Sequence, residues 1–145
     1  MDNKTIKFAT IGSNFVVDWF LQGAAKCPLL KYKGTYSRNI NRAKKFGNKY
    51  GSTLFFDDLN SLAKCDEIDA VYIASPNSEH FEQAKLMIKN GKHVLIEKTI
   101  ASNEREVAEL IRLASKYQVV MMEAMCSAYD PGMKATKAAI DEVGK

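Results

Sequence analysis

The chain has 145 residues, one domain's worth of polypeptide and enough to bury a real core. Hydrophobic residues make up 46% and charged residues 26%, which excludes disorder and low complexity as descriptions of the whole. The net charge of +4 comes from 21 basic and 17 acidic residues. Most of the bases are scattered lysines, so a solvated surface is expected rather than a nucleic-acid site with clustered arginines.

The longest stretch without a charged side chain covers residues 8–17. A membrane-spanning helix needs about 20 apolar residues, so no membrane segment is expected. The opening Met-Asp-Asn-Lys has no signal-peptide pattern. Cys27, Cys65 and Cys126 are far apart, which argues against a zinc site or disulfide framework. Reduced cysteines suit a cytoplasmic protein. His80 and His93 are isolated, so no metal site is expected.

The apolar run 6–11 predicts a strand that ends at Gly12. Residues 14–26 predict a helix, with Phe15/Trp19 and Val16/Phe20 paired at i,i+4. Residues 29–36 alternate and predict a strand, and the polar stretch 39–50 a helix whose apolar contacts are Ala43 and Phe46. A short strand follows at 53–56, then an acidic turn and a short helix to Lys64. Residues 70–74 are continuously apolar, as in a strand buried on both faces. The next helix runs to about Asn90, with Gly91 as its stop. Residues 94–97 predict a strand. Asn103 and Glu106 have the spacing of a capping box, and Val107, Leu110, Ile111 and Ala114 the spacing of a helix face. A last strand is expected at 119–122 and a last helix at 131–143.

Six βα repeats require crossover helices over a parallel sheet, so the expected class is α/β, doubly wound, in a single domain. Ligands of such sheets bind beyond the carboxyl ends of the strands. The residues there are the candidates.

The first strand is followed by Gly12-Ser13-Asn14-Phe15. Gly12 can make the tight turn of a dinucleotide fingerprint, and Asn14 tolerates left-handed geometry where the second glycine would stand. The helix start can offer amides to a pyrophosphate. An ordinary strand-to-helix turn reads equally well. After the second strand stand Ser37 and Arg38, where an NAD-preferring site carries an acid. Ser and Arg suit a 2′-phosphate instead, and Arg42 lies one helical turn on. The alternative is a solvated basic face. Ser75-Pro76-Asn77-Ser78 follows the fourth strand; helix capping by Asn77 or Ser78 and cofactor contact are evenly matched. His80 reads as a packing residue rather than a catalyst. Glu97 and Lys98 end the fifth strand at the cleft mouth. A lysine there can serve proton transfer or substrate positioning, or be a plain surface lysine.

Together the Gly12 loop, Tyr36-Ser37-Arg38, Ser75-Pro76-Asn77-Ser78-Glu79-His80, Val94-Leu95-Ile96-Glu97-Lys98 and Met122-Glu123-Ala124-Met125 resemble the Gfo/Idh/MocA oxidoreductases. This is the family of glucose–fructose oxidoreductase and the inositol dehydrogenases. The last segment looks most like the branch with the dimeric dihydrodiol dehydrogenases. The resemblance implies a Rossmann domain binding NAD(P), with NADP favoured, over residues 1–124. It implies that residues 125–145 begin the connection to a second α/β domain, which carries the substrate surface, the usual catalytic histidine and, commonly, oligomer contacts. Homo-oligomers are therefore expected of the longer protein.

By position, the resemblance implies Lys98 beside the nicotinamide and substrate hydroxyl, with Glu97 before it. It implies Ser75, Pro76 and Asn77 on the nicotinamide side, and Ser37 and Arg38 at the adenosine ribose. Asn14 stands where the family usually has glycine, and Thr99 where proline follows the lysine. The implied reaction is hydride transfer between nicotinamide and a hydroxyl or carbonyl carbon of a sugar, cyclitol or diol. Two other readings compete. One is a non-catalytic nucleotide-binding module or degenerate paralogue. The other is a self-associating interaction fragment.

Overall fold

The computed structural model describes residues 5–144. Six strands form one sheet: β1 (Ile6–Ile11), β2 (Leu30–Tyr36), β3 (Leu54–Phe56), β4 (Ala70–Ile73), β5 (His93–Glu97) and β6 (Met121–Ala124). Their order is β3-β2-β1-β4-β5-β6, and every neighbouring pair is parallel. The chain moves outward from β1 to one edge, then returns to pair β4 with β1 and moves to the other edge. That reversal opens a crevice between the ends of β1 and β4, where open α/β sheets take their ligands.

Register lines up the strand ends. Ile11 faces both Tyr36 and Ile73, and Ile73 faces Ile96. The residues that follow, Gly12, Ser37, Ala74 and Glu97, therefore share one rim of the sheet.

The crossover helices are α1 (Phe15–Ala24), α2 (Ile40–Lys49), α3 (Leu59–Ala63), α4 (Asn77–Lys89) and α5 (Glu104–Tyr117). α1 buries Val17, Leu21 and Ala24 at i, i+4 and i+7. Full burial of a Val or Leu side chain stabilises by about 1.5–3 kcal/mol. Val17 and Leu21 pack with Phe8 and Tyr72, and α2 adds Phe46 to the same side. The opposite face joins Ala9, Ile11, Val71, Ile73, Val94 and Ile96 to Met87 and Ile88 of α4 and Leu110 of α5. The alternation of Phe8 and Ala9, or Val71 and Tyr72, between the two cores is the period-2 geometry of a strand. Gly91, at φ +75°, follows the end of α4 as expected.

Four local expectations are corrected. The last strand is β6 at Met121–Ala124, two residues later than 119–122. Gln118 ends α5 at φ 54°, and Val119 N–H donates back to Ala114 O, so both residues belong to the helix end. Val120 N–H donates to His93 Nδ1 (2.9 Å), which completes the connection. On α5 the buried residues are Leu110, Leu113 and Ala114, whereas Ile111 is 56% exposed. The capping box is displaced: Asn103 Oδ1 accepts from Glu106 N–H (3.0 Å), but Glu106 reaches back to Ser102 N–H, one residue early (2.9 Å). Neither Asn77 nor Ser78 caps α4, which starts after Pro76 without a side-chain cap. The last helix, α6 (Pro131–Val143), follows a 3₁₀ turn at Cys126–Ala128 and has no buried residue.

Candidate functional site

The rim begins at Gly12. Its φ is +118°, and a Cβ built there would lie 2.7 Å from Ala74 O. Only glycine lets the loop after β1 approach the end of β4 this closely. Asn14 does not adopt the left-handed geometry expected of it: its φ is −103°. It acts through its side chain instead. Oδ1 accepts from Val16 N–H (3.1 Å) and Val17 N–H (3.2 Å), while Nδ2 donates to Ala74 O (2.9 Å). One amide thus caps α1 and ties the β1 loop across the crevice to β4. A cap of this kind contributes about 1 kcal/mol.

Arg42, on α2, turns back toward the same loop, and its Nε donates to Ser13 Oγ (2.8 Å). The helix is placed by Asn39, whose Oδ1 accepts from Asn41 N–H (2.9 Å) and Arg42 N–H (3.1 Å). Ser37 N–H donates to Phe56 O (3.0 Å), which fixes the turn out of β2. Burial holds the neighbouring Tyr36 phenol above its usual pKa, with the Arg38 charge opposing and Asp58, Glu79 and Asp57 adding to the rise. Both signs of charge therefore surround the Ser37–Arg38 turn.

Gly12, Ser37, Arg38, Ser75 and Pro76 line a common cavity of about 170 Å³, together with Ser78, Glu79 and Gln83. Ser13 and Arg42 border the adjoining depression with Lys45, Phe46 and Lys49. Glu97, Lys98 and Phe15 lie apart from these, in an apolar groove of about 640 Å³ beside α1. Asn14 and Asn77 line none of the three.

In the groove, Tyr72 Oη donates to Glu97 Oε1 (2.6 Å), and Lys98 N–H to Glu97 Oε2 (3.3 Å). Burial first, and then the adjacent carboxylate, push the Tyr72 phenol far above its usual range. Phe20 stacks on the Tyr72 ring at 3.9 Å. The Glu97 carboxylate is thus directed to Tyr72 on the α1 side of the sheet. Lys98 is exposed, and the Lys98–Thr99 peptide is cis.

Two further residues at the rim are not among the sequence candidates. Glu123 Oε1 accepts from Ile100 N–H (2.9 Å), joining β6 to the loop after β5. A carboxylate inside a short apolar strand is the signal that could have found it, because it needs a donor. Gln83 Oε1 accepts from Ser75 Oγ (2.7 Å). Its position in the second turn of α4 gives no such signal. Among the described residues no cluster of metal-ligating side chains occurs, and no helix is long and apolar enough to cross a membrane.

A doubly wound parallel sheet with a close glycine turn after β1 and basic side chains after β2 defines a Rossmann domain of the dinucleotide-binding class. A profile of the GFO_IDH_MocA family, described as "Oxidoreductase family, NAD-binding Rossmann fold", matches residues 6–125. The chain belongs to that family and is its NAD(P)-binding domain.

It is 44% identical over 139 residues to the scyllo-inositol 2-dehydrogenase (NADP(+)) of Bacillus subtilis, a match covering 96% of this chain and 42% of that protein. It is 30% identical over 106 residues to the trans-1,2-dihydrobenzene-1,2-diol dehydrogenase of Xenopus tropicalis, covering 73% of this chain and 32% of that protein. Among solved structures, a 3-ketoreductase from Actinomadura kijaniata in complex with NADP superposes with a TM-score of 0.89 at 26% identity, covering 96% of this chain and 43% of that one. The chain thus spans less than half the length of these relatives.

Proposed function

We propose that this chain binds NADP(H) in preference to NAD(H), as the cofactor-binding part of a longer oxidoreductase acting on a hydroxyl or carbonyl carbon. The observation that carries the preference is the bond from Arg42 Nε to Ser13 Oγ (2.8 Å). It brings a guanidinium from α2 against the loop after β1, on the side where Ser37 and Arg38 leave β2. Those three residues would hold the 2′-phosphate, since arginine offers forked donors to phosphate oxygens.

Gly12, Ser13 and the start of α1 (Asn14, Phe15) would take the pyrophosphate. The fit is supported by the close turn at Gly12, where a side chain would fill the crevice. Ser75, Pro76 and Asn77 would line the nicotinamide side, with Glu97 and Lys98 at the mouth of the cleft. When bound, the nicotinamide supplies the hydride donor or acceptor. Lys98 would orient the substrate hydroxyl or move its proton, and Glu97 braces the lysine's own N–H.

Residues 1–124 would form the binding unit and 125–145 the start of the connection onward. The substrate is proposed to be a small cyclitol, sugar or diol, the kind of compound named for the two dehydrogenases. It would be held largely by the rest of the protein, with homo-oligomer contacts supplied there too. The free cysteines Cys27, Cys65 and Cys126 suit a cytoplasmic setting.

Calorimetric titration of the chain with NADPH and with NADH tests the reading. Tighter binding of NADPH is expected. Binding of neither overturns the cofactor assignment, and a preference for NADH overturns the roles of Ser37, Arg38 and Arg42.

A further inference from the structure

His80 lies in the first turn of α4 and is 0% exposed. Its ring bridges two loops. Nδ1 is 2.8 Å from Thr99 O and Nε2 is 2.9 Å from Ser75 O. A carbonyl oxygen only accepts, so each ring nitrogen can serve these partners only as a donor. Both nitrogens donate together in the protonated ring alone, and a neutral ring keeps one tie.

The two loops are the ones that flank the proposed nicotinamide position. Ser75 opens the turn Ser75-Pro76-Asn77, and Thr99 directly follows Lys98. Ser75 is tied a second time to α4 through Gln83. The loop after β5 is tied a second time to β6 through Glu123 and Ile100 N–H. Lys98 itself is exposed on a long flexible stem. Where its ammonium group can reach is therefore set by where the backbone on either side is held.

We propose that His80 is a positioning residue. By joining Thr99 O to Ser75 O, it sets the spacing between the loop that carries Lys98 and the loop that lines the nicotinamide side. The proposal rests on the cofactor reading above.

Asparagine and glutamine separate the two ties. In His80→Asn the new amide nitrogen falls near the place of Nδ1 and keeps a donor for Thr99 O. In His80→Gln it falls near the place of Nε2 and keeps a donor for Ser75 O only. Each variant of the full 145-residue chain is titrated with NADPH and with 2′-phospho-ADP-ribose, which lacks the nicotinamide.

Each variant breaks the join between the two loops and is expected to weaken NADPH binding about tenfold, the worth of one good hydrogen bond. Both variants are expected to bind 2′-phospho-ADP-ribose alike. Unchanged NADPH binding in either variant, or an equal loss for 2′-phospho-ADP-ribose, overturns the proposal and leaves His80 as a packing residue. If the unaltered chain binds neither ligand, the cofactor reading itself fails, a result distinct from a failure of the variants alone. Should one variant not fold, the other decides by the same comparison. Weaker NADPH binding with unchanged 2′-phospho-ADP-ribose binding is expected, and unchanged binding of both overturns the proposal.

Discussion

Replacing Gly12 by alanine tests the rim at its tightest point. Alanine must either adopt φ +118° or force the loop to a new path, and backbone strain of this kind costs about 1–3 kcal/mol. The added Cβ would sit 2.7 Å from Ala74 O and 3.1 Å from Ala74 C, both backbone atoms that no side-chain rotation can move aside. Relief requires the ends of β1 and β4 to part. That movement acts on the Asn14 Nδ2 bond to Ala74 O (2.9 Å) and on the Ala74 N–H bond to Ile11 O (2.8 Å). Loss of one of them adds about 1 kcal/mol.

A total of about 2–4 kcal/mol is a large part of the roughly 5–15 kcal/mol that a domain has. With a urea slope of about 2 kcal/mol/M, the unfolding midpoint falls by about 1–2 M. Gly91→Ala is the control. It also has positive φ (+75°), but nothing lies within 4 Å of the added carbon. It should cost about 1 kcal/mol, from the backbone conformation alone. Urea unfolding followed by circular dichroism, with NADPH titration beside it, measures both. Equal midpoints for Gly12→Ala and Gly91→Ala would refute the close approach to Ala74 as the reason for glycine at position 12.

Arg42→Ala should weaken NADPH binding by about tenfold to a hundredfold and leave NADH binding unchanged; equal losses for both cofactors would place Arg42 away from the 2′-phosphate. Asp18 accepts hydrogen bonds from Lys49 Nζ (2.8 Å) and Tyr50 Oη, which hold its carboxyl below the usual 3.8. The stability this supplies is fully present above the usual value and is lost as pH falls through the lowered one. The gap in melting temperature between the native chain and Asp18→Asn should therefore close on acidification; a gap that widens contradicts the sign. Leu110→Ala, at a position 0% exposed between α5 and the sheet, should cost about 2–5 kcal/mol in urea unfolding. A cost below about 1 kcal/mol would mean the site collapses around the missing atoms.

The sheet was legible because its strands end on unmistakable residues. Gly12, Ser75-Pro76 and Glu97-Lys98 each break an apolar run, Ser37-Arg38 ends an alternating one, and parallel register then brings them to one rim. β6 was misplaced because Val119, Val120, Met121 and Met122 are all apolar, so periodicity cannot say where pairing begins. The positive φ of Gln118 decides it, and that depends on how α5 closes. Ile111 shows the same limit on α5: its spacing fits a buried face, but the core takes Leu113 instead.

Asn14 illustrates another kind of loss. Residue type suggested a backbone role, whereas the structure uses its amide to hold Ala74 O from 60 residues away. The partners of His80 are equally remote from sequence pattern. Thr99 O reaches the ring only because β4 and β5 are neighbours in the sheet.

The groove beside α1 has one more consequence. Trp19 is the chain's single tryptophan, 68% exposed and edge-on to Phe15 at 5.0 Å. It lines the same groove as Lys98. An indole this exposed is expected to emit as indole does in water, and reduced nicotinamide absorbs where that light is emitted. The protein therefore carries a built-in optical gauge at the lysine side of its crevice, readable without a label.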